Sequence, residues 1–333
     1  MKTVTLATSI ALGFCAGLLA ASTASASGGP VILGGTYGAG GVTAPGSEYR
    51  YATVDAGSSG TVLEQIRTDG GSIRRLQRIG SGWTLPAVTW LGDAGGLSAN
   101  GRRLVLVRTD YDHRGLPTSP TEMLLVDTHS LKPRRHLELD GIFSFDAISP
   151  DGRSLYLVQY ASARRPLDYR VRRYDVGAGE FRGGAIVDPD DPDEKMTGQP
   201  LSRAYSPDGA WSYTLYGGGD ETFVHALDTA SGTAQCIDLE GIGEGNSYYR
   251  LTLDADPATG ALTVRNARQP LALVDPRTLE VSQPPEAAAG PSADDETAGA
   301  GAEWVAPLAI GGGVLLLAAA AFLAVRRRPG APA

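Results

Sequence analysis

Between residues 49 and 283 the chain is written in short alternations of apolar and polar residues, separated by clusters of Gly, Pro, Asp and Asn. Val105 and Val107, like Leu155 and Leu157, lie two apart, which is the period of a half-buried strand. Two kinds of turn punctuate these runs. Strands end in an acidic turn residue at Asp69, Asp127, Asp175, Asp228 and Asp275. A second turn precedes most of these by about 25 residues: Asn100-Gly101, Asp151-Gly152, Asp208-Gly209 and the looser Asp256 to Gly260. In Pro150-Asp151-Gly152 and Pro207-Asp208-Gly209, Pro presets φ, Asp caps the turn and Gly accepts positive φ.

Superposing the repeats gives four short strands per unit: 143–149, 154–160, 169–175 and 181–187 in one, and 201–206, 211–216, 223–228 and 233–239 in the next. One such sheet cannot bury both faces alone, so neighbours must pack on it. The fold class predicted is therefore all-β, a β-propeller of about five four-stranded blades. The blades are placed at 49–85, 86–140, 142–187, 199–240 and 248–283, with 27–48 as an N-terminal segment. Within that segment, 30–37 is expected to supply a strand closing the ring against the last blade. A two-sheet sandwich is the structural alternative.

Ser149-Pro-Asp-Gly-Arg-Ser-Leu-Tyr156, followed by a strand ending in Tyr174-Asp175 or in Leu227-Asp228-Thr229, resembles the TolB, YVTN and WD-repeat propellers. The likeness covers roughly residues 90–283. The whole chain resembles exported, C-terminally anchored bacterial proteins of this kind, whose role is undefined. The Trp-Asp dipeptide of WD repeats is missing, so the resemblance implies a fold and transfers no active site.

The two ends place the domain. Lys2, the apolar run 4–21 and Ala24-Ser25-Ala26 form a signal peptide, 1–26. Residues 304–325 carry no charge and span about 33 Å as a helix, enough for a bilayer core of about 30 Å. Arg326, Arg327 and Arg328 follow, which puts the 326–333 tail in the cytoplasm. The expectation is a single-pass cell-membrane protein with its N-terminal domain outside. Between fold and helix, 284–303 reads as a disordered acidic linker rich in Ala, Pro and Gly.

Charge narrows the partners. Four of the 29 basic residues lie in the two ends, leaving 25 against 37 acids, a net −12 on the exported segment. That argues against nucleic acid and anionic lipid surfaces as general partners. Cys15 leaves with the signal, so Cys236 remains alone without an intramolecular disulfide. Its apolar neighbours predict a buried small hydrophobe.

Candidate sites fall on loops at 111–122, 161–168 and 188–200. Asp188, Asp190, Asp191, Asp193 and Glu194 form an oxygen-rich run suited to Ca²⁺, or else a solvated charge run. Arg164 and Arg165, with Arg170, Arg172 and Arg173 behind them, suit an anion or glycan, or else neutralise that acidic loop. Asp146 and Arg203 hold equivalent positions on inner strands, each three residues before the Ser of its turn. They either converge on a small polar ligand or pair with one another.

Catalytic constellations are not apparent. His113, His129, His136 and His225 lack close metal-ligand spacing, no Gly-x-Ser-x-Gly elbow occurs, and the 34–41 glycine run lacks the Lys-Ser/Thr of a phosphate loop. The function predicted is a membrane-anchored extracytoplasmic module that binds or scaffolds an envelope protein or glycan, with no cofactor beyond the Ca²⁺ candidate. The alternative is an extracellular metal-assisted hydrolase with its site at the channel mouth.

Overall fold

The structure, a computed structural model, describes residues 32–36, 40–193, 195–218, 221–243 and 245–285. The signal segment, nearly all of the linker, the 304–325 span and the tail lie outside them. Every element below belongs to the compact unit Met1–Pro284. No helix among the described residues is long and apolar enough to cross a membrane.

The described chain is all-β, built of antiparallel sheets in sequence order and consistent with a propeller. The first sheet holds Val42–Thr43, Tyr49–Asp55, Thr61–Arg67 and Ile73–Ile79. The second holds Arg103–Arg108, Thr121–Asp127 and Lys132–Leu139. Its inner position is taken by an irregular segment that bridges at Leu97–Leu104 and through the N–H of Val105 donating to the Gly96 carbonyl at 2.8 Å. The third holds Ile142–Ile148, Ser154–Tyr160, Tyr169–Asp175 and Glu180–Ile186. The fourth holds Gln199–Tyr205, Trp211–Gly217, Phe223–Asp228 and Thr233–Asp238. The fifth holds Leu251–Ala255, Leu262–Asn266, Gln269–Val274 and Val281–Ser282.

Two boundaries differ from the sequence reading. The inner strand of the first sheet is Val42–Thr43, ahead of residue 49. The strand expected at 30–37 is Gly35–Thr36, and it pairs with Leu85–Pro86 between the first and second sheets, not with the last one. Both strands are two residues long, too short to show a period.

The repeated turns are built alike. Ser149 Oγ donates to Asp151 Oδ1 at 2.7 Å, and the Arg153 N–H donates to the same oxygen at 3.0 Å. Ser206, Asp208 and the Ala210 N–H repeat this at 2.5 and 3.0 Å; Ser98, Asn100 and the Arg102 N–H do so with both contacts at 2.9 Å. Each side-chain oxygen thus replaces a strand partner that the turning backbone has lost.

Packing alternates along the inner and middle strands. Leu104 and Leu106 join Tyr51 and Leu63 of the first sheet, while Val105 and Val107 join Leu155 and Leu157 of the third. Tyr156 and Val158, on the other face of the third sheet, pack with Leu227 and Ala234 of the fourth. Leu215 and Val224 then meet Leu262 and Val264 of the fifth. These strands are therefore buried on both faces, not one, which is why Arg103–Arg108 is apolar without interruption between its two arginines. Each such fully buried side chain contributes roughly 1.5–3 kcal/mol.

Candidate functional site

Asp146 and Arg203 lie on the inner strands of the third and fourth sheets, and the structure brings them together. Arg203 Nη2 donates to Asp146 Oδ1 at 2.5 Å, and Nη1 donates to the Asp146 main-chain carbonyl at 2.9 Å and to Ser212 Oγ. The two side chains are 3% and 2% exposed. Burial opposes the guanidinium charge, and the adjacent carboxylate outweighs it, so the Arg203 pKa is raised. Asp146 Oδ2 and Arg203 Nε have no protein partner. A cavity of about 20 Å³ borders both residues, with Tyr160, Tyr169 and Tyr216 in its wall. That volume accommodates one water molecule. Burial pushes the Tyr169 and Tyr216 hydroxyls well above their ordinary range, so both stay protonated beside the pair.

The two other candidate groups do not converge here. Arg164 and Arg165 are exposed, and Arg165 pairs with Asp168 of its own loop at 2.8 Å. Arg172 lies over the Phe181 ring at 4.4 Å, and Arg173 Nε donates to Ser154 Oγ at 3.0 Å. In the acidic run, Asp188 accepts the Asp190 N–H at 2.9 Å and the Cys236 N–H at 2.8 Å, so both its oxygens serve backbone. Asp190, Asp191 and Asp193 are exposed, and Glu194 lies outside the described residues. Among the described residues no group of three His, Cys, Asp or Glu side chains is placed to hold a metal ion.

Other features have no signal in the sequence. His225 and Cys236 face each other across neighbouring strands, with Sγ 4.0 Å from Nδ1. Burial holds His225 below its ordinary pKa, and its Nε2 has no partner. Glu122 accepts from Arg108 and lies 2.7 Å from His136 Nε2, beside Trp83. These are cross-strand neighbours 11 or 14 residues apart, invisible to local spacing.

The segment at 33–34 and Trp90 cross to the inner strands. The Ser144 hydroxyl donates to the Leu33 carbonyl at 2.5 Å, and the Ala87 N–H donates to Gly34 at 3.0 Å. Trp90, which precedes the second sheet, donates its main-chain N–H to the Pro200 carbonyl at 2.9 Å and packs 5.3 Å from the Tyr249 ring. A separate pocket of about 230 Å³ is walled by Val42, Pro45, Leu97, Ala99, Ile148 and Tyr205, among others.

No protein-family model and no curated protein matches the chain. Similar solved structures include Kuenenia stuttgartiensis hydrazine synthase, at 14% identity and TM-score 0.43, covering 70% of this chain and 63% of that one. A functionally unknown protein from Desulfotomaculum acetoxidans is 15% identical over 77% of this chain and 69% of its own, at TM-score 0.45. TolB from Acinetobacter baumannii is 14% identical over 67% of this chain and 50% of its own, at TM-score 0.37. The chain thus spans less than two thirds of the hydrazine synthase and TolB chains.

Proposed function

We propose that the five sheets form the blades of a propeller of the TolB, YVTN and WD-repeat kind, held outside the cell membrane by one C-terminal helix. It acts as a binding or scaffold module for an envelope protein or glycan. The export and anchoring rest on residues 1–26 and 304–328 of the sequence.

The observation that carries the binding reading is the closure of Asp146 on Arg203. A polar site that transforms a substrate needs charged groups free to meet it. Here the axial pair is spent on itself beside room for one water. The loops, by contrast, present Leu91 and Tyr111 at 66% and 56% exposure. Apolar and aromatic side chains on loops around a rigid scaffold are what a partner surface uses.

The test is cross-linking in intact cells, followed by purification of the full chain and identification of what is attached. One envelope component is expected with the natural chain and lost when 109–120 is replaced by a Gly-Ser loop. Recovery that does not depend on the loop overturns the reading, as does hydrolysis of an envelope substrate that Asp146→Ala abolishes.

A further inference from the structure

The pocket of about 230 Å³ carries a second inference, independent of the membrane reading. Its wall is drawn from four sheets: Val42 to Pro45 of the first, Gly96, Leu97 and Ala99 before the second, Phe145, Ala147 and Ile148 of the third, and Tyr205, Gly209 and Thr229 of the fourth. Small residues line much of it: Ala44, Gly96, Ala99, Ala147 and Gly209. Gly96 has φ +100 with the Val105 carbonyl 2.6 Å from an added Cβ, so it cannot carry one. Phe145 borders both this pocket and the single-water cavity, and so stands between them.

Two polar groups of the wall are already engaged. Thr229 Oγ1 donates to the Ala210 carbonyl at 2.7 Å. Tyr205 lies under the Arg203 guanidinium, 5.9 Å from ring centroid to Cζ, with its hydroxyl among Arg203, Asp146 and Asp93. Yet Tyr205 is 43% exposed, so the surface it offers is the ring. No charged side chain lines the pocket.

We infer that this pocket binds a small, uncharged, ring-bearing molecule through apolar contact. An apolar cavity of about 150 Å³ takes benzene. At about 230 Å³ this one takes a bicyclic ring and is too small for a length of polypeptide. A carboxylate on the ligand would meet no charged side chain in the wall to offset the water it sheds.

The test is calorimetric titration of the full chain with indole, and with indole-3-acetate as the charged comparator. Indole is expected to bind one to one with a dissociation constant of ~0.1–1 mM, and indole-3-acetate at least tenfold more weakly. Ala99→Leu, which fills the pocket, weakens indole at least tenfold. Thr43→Leu fills it from the first sheet and gives the same answer should Ala99→Leu fail to fold. Absence of saturable indole binding, equal binding of the two ligands, or undiminished binding in a folded filling variant overturns the inference.

Discussion

Arg203 grips Asp146 twice, through the carboxylate and through the main-chain carbonyl, and so ties the inner strand of the fourth sheet to that of the third. Removing one member strands the other. Asp146→Ala is expected to lower stability in urea unfolding by about 3–5 kcal/mol, because the guanidinium is left charged and dry. The double variant Asp146→Leu, Arg203→Met is expected to lie nearer the natural protein than either single change. Equal or additive losses would show that the pair is not coupled.

The Asp208 turn makes a pH prediction. The Ser206 hydroxyl and the Ala210 N–H hold its carboxyl below the ordinary carboxylate range. A depressed folded pKa means stability that is complete above the unfolded value of about 3.9 and is lost as pH falls through the folded one. Asn100 makes the same contacts in the second sheet without a charge. Asp208→Asn is therefore expected to fold normally at pH 7 and to flatten the acid limb of the stability curve below pH ~4.

His225 works in a higher window. Burial between Tyr216 and Cys236 depresses its pKa, so the unfolded chain takes the proton first. Its contribution is whole above about pH 6.5 and fades below that value. His225→Phe is expected to remove the slope of stability between about pH 6.5 and 5, read by thermal unfolding across that range. An unchanged slope would mean that the imidazole already carries its proton when folded.

Gly209 has φ +68, and an added Cβ would stand 2.5 Å from Ala99 Cβ, whereas Gly46 has φ +66 and open space. Gly46→Ala should cost about 1–2 kcal/mol for the left-handed backbone alone. Gly209→Ala should cost clearly more, since the turn must also move off its neighbour. Equal losses would place the strain in the backbone and not in the contact.

The turns were the legible part of this fold. Ser149 to Gly152 and Ser206 to Gly209 announce their hydrogen bonds by residue type, and the strands they join follow from spacing. Val42–Thr43 and Gly35–Thr36 were not legible, being two residues each and fixed by partners elsewhere. The half-buried period of Val105 and Val107 was incomplete for a related reason: Leu104 and Leu106 are equally apolar, and only the stacking of a sheet on each side explains both. At the site, sequence left two fates open for Asp146 and Arg203, and the structure shows the two side chains paired at 2.5 Å. The apolar pocket gave no signal at all, since its wall gathers single small residues from Val42 to Thr229.

Stacked repeats touch only their neighbours and tend to come apart one at a time. Trp90 breaks that rule, because it leaves the chain between the first two sheets and is caught by Pro200 and Tyr249, far along the array. A stitch of this kind skips over the third sheet. Loosening either terminal portion then pulls on the other, and the array should melt as one cooperative body where a simple stack would peel.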